Sequence, residues 1–184
     1  MGFHTFPIDR ADALEEPSRY RFCSREELLA ALALETEAVV ADLGSGTGFY
    51  ADDVAPFVET LYAVDVQSEM HELYREKGLP DAVETVTADV TALPFDDDQL
   101  DGAYSIMTHH EYASAAAFAE LARVVRPGGR LVTVDWSADG TGEDGPSMAE
   151  RFGLEDVTGQ LEEAGFAIDV AQNRPETLLV VARP

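Results

Sequence analysis

The stretch Val40-Ala-Asp-Leu-Gly-Ser-Gly-Thr-Gly48 constrains the fold of this chain more than any other. An apolar run of strand character enters three alternating glycines, and a helical pattern follows at once. A chain turns that sharply, and lets a ligand approach its backbone, where side chains carry no Cβ. The same rhythm continues downstream. Residues 38–43, 61–65, 83–87, 101–107 and 131–135 read as strands, and residues 48–57, 68–77 and 114–125 as helices. Phe118, Leu121, Ala122 and Val125 share one face of the last helix. Arg126-Pro-Gly-Gly129 reads as a sharp turn, because proline presets one dihedral and glycine permits positive φ. Repeated βαβ units demand a mostly parallel sheet covered by helices on both faces. The tail changes pattern: a helix over 154–164 closes at Gly165, and strands at 167–172 and 177–181 follow. Their link is too short for a parallel crossover, so they form an antiparallel hairpin. Upstream, Ser24-Arg-Glu-Glu27 has the form of a capping box before Leu28, Leu29 and Leu32.

The 184 residues, 46% of them hydrophobic, suit one domain. No apolar run approaches the roughly 20 residues of a membrane helix. Residues 1–16 carry acids and Pro7 instead of an apolar signal core, so a cytoplasmic protein is expected. One cysteine, Cys23, excludes an intrachain disulfide and reads as a packed residue; no metal site is read. Thirty-six acids against 12 bases, Lys77 the single lysine, give a net charge of −24. Such a charge repels phosphate backbones and anionic lipid, so neither nucleic acid nor membrane is an expected partner. A carboxylate-rich, lysine-poor surface also suits a high-salt cytoplasm, where ions screen self-repulsion.

The spacing of the glycines selects among ligands. A dinucleotide fingerprint, G-x-G-x-x-G, wants its third glycine where this chain has Phe49. Asp42 would repel a pyrophosphate, whereas a carboxylate there suits a ligand carrying an ammonium and a sulfonium. Asp65, ending the second strand, can accept from both hydroxyls of a ribose or cap the following helix. Asp89, before Val90, can receive an adenine amine.

Taken in order, residues 39–48, Tyr62-Ala-Val-Asp65 with Met70, Ala88-Asp89, Leu93-Pro-Phe95 with Leu100-Asp101, and Leu121-Ala-Arg-Val-Val-Arg-Pro-Gly-Gly-Arg130 resemble the motifs of class I S-adenosylmethionine-dependent methyltransferases. The pattern is most similar to the small-molecule enzymes of the ubiquinone/menaquinone-biosynthesis-like group. The resemblance implies a Rossmann-like three-layer α/β sandwich with a seven-stranded sheet of order 3-2-1-4-5-7-6. It implies S-adenosyl-L-methionine as cofactor: the methionine moiety over Asp42 and Gly44, Ser45, Gly46, Thr47 and Gly48, the ribose on Asp65, the adenine near Val66, Asp89 and Val90, with Met70 and Thr108 alongside. Residues 37–184 would form the methyltransferase domain, and residues 1–36 an N-terminal segment with a lid or cap helix.

Ligands of open α/β sheets bind beyond the carboxyl ends of the strands at the switch point, so Thr108-His-His-Glu-Tyr112 should face the transferred methyl group. Displacement at carbon needs an aligned lone pair, and a base where the acceptor carries a proton. His110, Glu111 and His109 are the candidate bases, on a short loop whose histidines can equally be exposed or cap the next helix. His110-Glu111, Asp135-Trp136, Gly145-Pro146 and Glu150-Arg151 resemble a branch of these enzymes in which such stretches shape the acceptor pocket. Tyr112, Trp136 and Arg151 are therefore candidate acceptor contacts. The quinone enzymes carry Arg-Asn where this chain has His109-His110, a departure that separates it from quinone precursors. Residues 137–146 and 2–17, the latter with His4, Phe6 and nearby Tyr20, read as lids or surface loops. The expected function is methyl transfer to a small molecule. The alternatives are a nicotinamide-dependent oxidoreductase, opposed by the glycine spacing and Asp42, and a non-catalytic S-adenosylmethionine-binding protein.

Overall fold

The structure, a computed structural model, describes residues 5–184. Seven strands form one sheet in the order β3-β2-β1-β4-β5-β7-β6. They are β1 (Val39–Leu43), β2 (Thr60–Asp65), β3 (Val83–Thr87), β4 (Leu100–Ile106), β5 (Val125–Trp136), β6 (Ala167–Asn173) and β7 (Thr177–Arg183). β1 pairs in parallel with β2 and β4, while β7 runs antiparallel between β5 and β6. The helices are α1 (Arg25–Leu32), α2 (Phe49–Val54), α3 (Ser68–Lys77), α4 (His109–Tyr112), α5 (Ala115–Val124) and α6 (Leu154–Glu163). The seven-stranded order and the terminal hairpin agree with the expected sandwich.

Two apolar layers hold it together, one on each face of the sheet. Leu28, Leu32, Val40, Val54, Leu61 and Tyr74 lie in one, and Leu43, Leu100, Phe118, Leu121, Leu131 and Leu161 in the other. β1 alternates between them, Val40 to one side and Ala41 and Leu43 to the other, as the two-residue strand period requires. Full burial of a side chain of this size contributes about 1.5–3 kcal/mol.

Ser24 caps α1 by accepting from the Glu27 amide at 3.2 Å, but the Glu27 carboxylate turns away to the Arg174 guanidinium at 2.5 Å, so half of the expected capping box forms. α1 contributes Leu28 and Leu32 to a core layer. β5 starts six residues earlier than the pattern suggested. Val125 already pairs with Leu100, the chain bulges over residues 126–129 with Gly128 at φ 83°, and pairing resumes at Gly102 with Arg130. A bulge leaves strand assignment continuous where proline and glycines alone read as a break. The segment after β4 is the short helix α4, not an open loop. No helix among the described residues is long and apolar enough to cross a membrane.

Candidate functional site

The carboxyl ends of β1, β2 and β4 open into a cleft of about 640 Å³. Its floor is the glycine loop. Gly44 has φ 75°, and a Cβ built there would lie 2.2 Å from Thr108 Cγ2; at Gly48, φ 84°, it would lie 2.1 Å from the Tyr74 ring. Protein side chains therefore occupy the space these two glycines leave. Gly44, Ser45 and Gly46 line the cleft, whereas Thr47 and Gly48 do not. Thr47 instead donates to Glu15 of the N-terminal segment.

The loop amides discriminate between ligands. Gly44 and Ser45 both donate to Val64 O, at 2.8 and 2.9 Å, Gly48 donates to Ser45 O at 2.9 Å, and Gly46 donates to Asp65 Oδ2 at 2.9 Å. A diphosphate site presents such amides to the ligand; here four are already engaged. The Ser45 hydroxyl, by contrast, is buried at the cleft wall with no hydrogen-bond partner among the described residues. A buried hydroxyl left so costs free energy until a ligand or water meets it.

Asp65 lines the cleft, and its carboxylate ties the glycine loop to the end of β2: Oδ1 accepts from the Gln67 amide at 2.9 Å, Oδ2 from Gly46. Each oxygen keeps a further lone pair, which suits a diol. Val66, Met70 and Val90 line an apolar side, next to Asp89, whose Oδ1 accepts from the Thr91 amide and hydroxyl at 2.8 and 2.7 Å. Asp42 does not line the cleft. It is buried beneath the loop, and burial pushes its carboxyl up to about 7 against the pull of the Tyr104 hydroxyl and the Arg19 guanidinium. A carboxylate so placed gains from a cation brought above it. These features fit a nucleoside joined to a cationic amino acid.

The opposite wall is built by α4. Met107, between β4 and α4, adopts φ 62°, and its amide donates to Val134 O at 2.7 Å. This left-handed residue, costing roughly 1–2 kcal/mol, turns the following side chains toward the end of β5. There Asp135, buried at 1% exposure, accepts the His110 amide at 2.7 Å and stands 2.9 and 3.1 Å from His110 Nδ1. Burial works to lower the His110 pKa, but the hydrogen bond and charge of Asp135, aided by Glu111 and Glu150, outweigh it and raise the value. Glu111, half-buried on the same wall, is pushed up to about 7, mainly by burial.

Several expected contacts are placed elsewhere. His109 does not line the cleft: it is 1% exposed among Tyr112, Phe118 and Phe152, and burial drives its pKa down to about 4. On one turn of helix, adjacent residues face different ways, and of the two histidines His110 lines the cleft. Tyr112 lines the cleft, but its hydroxyl is buried beside Ser105 and Thr133. Trp136 lines it at 9% exposure, with the Arg151 guanidinium 5.5 Å from its ring centre and Gly145 packed against the ring, where a Cβ would come within 2.4 Å. Arg151 does not line the cleft: buried behind Trp136, it donates to the carbonyls of Pro146 and Asp144 at the end of the 137–146 loop.

That loop and the N-terminal segment form the roof. Phe6, Arg10, Leu14, Arg19, Arg21 and Phe22 line the cleft from above, and Arg21 reaches Asp144 at 2.5 Å. Tyr20 does not line the cleft, bonding instead to Asp53 at 2.8 Å, and His4 lies outside the described residues. Cys23 is buried with its thiol pushed up to about 12, chiefly by burial, which leaves it unreactive. Sequence reasoning placed Asp135 only within a stretch expected to shape the acceptor pocket, and assigned no role to Arg19 or Arg21 in the cleft. Asp135 carried a signal, as an acid at the carboxyl end of a strand next to the switch point; the arginines carried none.

Comparisons with known proteins agree with this geometry. A family model described as a methyltransferase domain matches residues 41–133. The chain is 31% identical over 150 residues to the O-methyltransferase cnsE of Penicillium expansum, covering 73% of this chain and 54% of that protein. It is 33% identical over 119 residues to the demethylmenaquinone methyltransferase of a Mycobacterium species (strain JLS), covering 61% and 48%. The chain thus spans about half the length of these curated relatives. A solved SAM-dependent methyltransferase from Aquifex aeolicus superposes with a TM-score of 0.87 at 28% identity, covering 97% of this chain and 98% of that one. With its sheet order, its engaged loop amides and its strand-end acids, the chain belongs to the methyltransferase-domain family, as a class I S-adenosylmethionine-dependent methyltransferase.

Proposed function

We propose that the chain transfers a methyl group to a small molecule, with His110 as base and Asp135 as the residue that orients it. The observation that carries this reading is the His110–Asp135 pair on the cleft wall next to Thr108 and the glycine loop. When bound, S-adenosylmethionine supplies an electrophilic methyl carbon. Asp135 holds the proton of His110 Nδ1, so Nε2 is the basic nitrogen and takes the acceptor's proton as the acceptor lone pair attacks. Glu111 stands beside it as a second proton carrier. Asp42 balances the ligand's positive charge, Asp65 takes the ribose hydroxyls, Met70, Val66, Val90 and Asp89 hold the adenine, and Gly44, Ser45 and Gly46 carry the methionine. Thr47 and Gly48 act by shaping the loop, and Thr108 by packing on Gly44. Tyr112 and Trp136 wall the acceptor side, with Arg151 supporting Trp136 from behind.

In this reading residues 1–36 are the N-terminal segment, in which Phe6, Leu14, Arg19 and Phe22 roof the cleft against water, and residues 37–184 are the methyltransferase domain. The names of two relatives, an O-methyltransferase and a demethylmenaquinone methyltransferase, support a small organic acceptor. The net charge of −24 supports a partner that is neither nucleic acid nor an anionic membrane, in a cytoplasm of high salt. Calorimetric titration with S-adenosylhomocysteine and with NADH tests the cofactor, and methyl transfer to a metabolite panel tests the reaction. Micromolar binding of the homocysteine nucleoside is expected; tight NADH binding without it would overturn the reading.

A further inference from the structure

Beneath α4 a group of polar atoms interrupts the apolar layer. Ser105 on β4 and Thr133 on β5 pair in register, and both are fully buried. Ala103 and Leu131, two residues earlier on each strand, belong to the layer that holds Tyr112 and Phe118, so Ser105 and Thr133 look into that layer too. His109 and Tyr112, the two ends of α4, come down on them. The Tyr112 hydroxyl stands beside both strand hydroxyls, and His109 stands beside Gln160 with its ring centre 5.4 Å from that of Tyr112. Ser105 Oγ, Thr133 Oγ1, Tyr112 OH, both ring nitrogens of His109 and Gln160 Oε1 are all buried. Yet none makes a hydrogen bond of proper geometry with another described residue.

Each buried polar atom left unpaired costs free energy, and folded proteins meet small clusters of them with internal water. The chemistry of this set suits water. Burial drives His109 to its neutral form, which offers one N–H and one lone pair. The three hydroxyls both donate and accept, and water does the same, so it bridges groups whose own geometry misses. The seat also matters for the base. A single turn such as α4 has little stability of its own and depends on what it packs against. Thr133 and Asp135 are successive residues on one face of β5: Asp135 receives His110, and Thr133 lies beside the Tyr112 hydroxyl.

We propose that ordered water bridges Ser105, Thr133, Tyr112 and His109, and that this hydrated seat fixes α4 so that His110 meets Asp135. Ser105 and Thr133, neither of which lines the cleft, are then positioning residues that act through the buried ends of α4. The functional half of the proposal rests on reading His110 as the base; the water does not.

The test joins a high-resolution crystal structure of the full chain with two variants. Wild-type crystals should show water within about 3.2 Å of Thr133 Oγ1 and the Tyr112 hydroxyl. A dry contact there would overturn the proposal, even if every variant failed to fold. Thr133→Val keeps the branched shape and removes only the hydroxyl, and it should melt about 2–6 °C lower as the water loses a partner. An unchanged or higher melting temperature would mean a dry seat, because deleting an unpaired hydroxyl relieves a cost. An NMR titration of His110 reads the positioning, since its charged neighbours Asp135, Glu111 and Glu150 stay in place. In Thr133→Val the His110 pKa should move toward 6.5 by at least about 0.3 unit while S-adenosylhomocysteine affinity holds, and in Thr133→Ser it should keep the wild-type value. Ser105→Ala gives the same reading should Thr133→Val fail to fold. A lower melting temperature with His110 unmoved would overturn the positioning role. Full turnover by His110→Gln on an identified acceptor would instead remove the base reading and leave the water result standing.

Discussion

Asp135→Asn isolates the pair on which catalysis is proposed to turn. Asparagine preserves the shape of Asp135 and can still accept the His110 amide, now at 2.7 Å, but presents no negative charge to Nδ1. The wild-type His110 pKa is raised because Asp135 outweighs burial. With that charge gone, burial acts unopposed by its strongest neighbour and the value should drop below the ordinary 6.5. A charge-assisted hydrogen bond contributes about 1.5–3 kcal/mol, which corresponds to a fall of roughly 1–2 pKa units. The chain has four histidines, so a proton–nitrogen NMR titration of the imidazoles follows each, with His110→Gln assigning the signal. Because the folded pKa lies above the unfolded one, the pair stabilises the fold below about pH 6.5, and this stabilisation fades as pH rises through the folded value. The stability penalty of Asp135→Asn is therefore larger in mild acid than in mild alkali. Turnover, once an acceptor is identified, should fall by about 10–100-fold while S-adenosylhomocysteine affinity holds. A His110 shift smaller than about 0.3 pKa unit would refute the reasoning, because Asp135 would then not govern the base.

Asp65→Ala should cost about 2–4 kcal/mol in urea unfolding, since the Gly46 and Gln67 amides lose their acceptor, and should weaken S-adenosylhomocysteine binding as well. Unchanged stability would mean that Asp65 serves the ligand alone. Asp42 and Glu111, both pushed up to about 7, bind protons more tightly folded than unfolded, so their ionisation makes stability fall as pH rises toward 7. Asp42→Asn should flatten that fall by up to roughly 1.4 kcal/mol per pH unit, and an identical slope in the variant would count against a buried, uncompensated Asp42. With a net charge of −24, the melting temperature should climb as salt goes from about 0.1 to 1 M and the screening length shrinks from about 10 to 3 Å; a flat response would contradict high-salt adaptation.

The sequence by itself determined the sheet and the loop that binds at its edge. Apolar periodicity and glycine placement are local properties, and the chain between Val39 and Thr87 obeys them almost residue for residue: β1, β2, α3 and β3 lie where the pattern puts them. Gly44, Ser45, Gly46 and Asp65 reach the cleft because strand ends and a tight turn leave them nowhere else to go. The acceptor side was decided by tertiary structure. The pattern His109-His110 offers two equal imidazoles, and only the packing of α4 against Phe118 and Phe152 consigns one to the core and the other to Asp135, 25 residues away. Arg19 and Arg21 were illegible for the same reason. Their roles depend on where an irregular segment lies across the finished sheet, and no periodicity encodes contacts between residues so far apart in the chain.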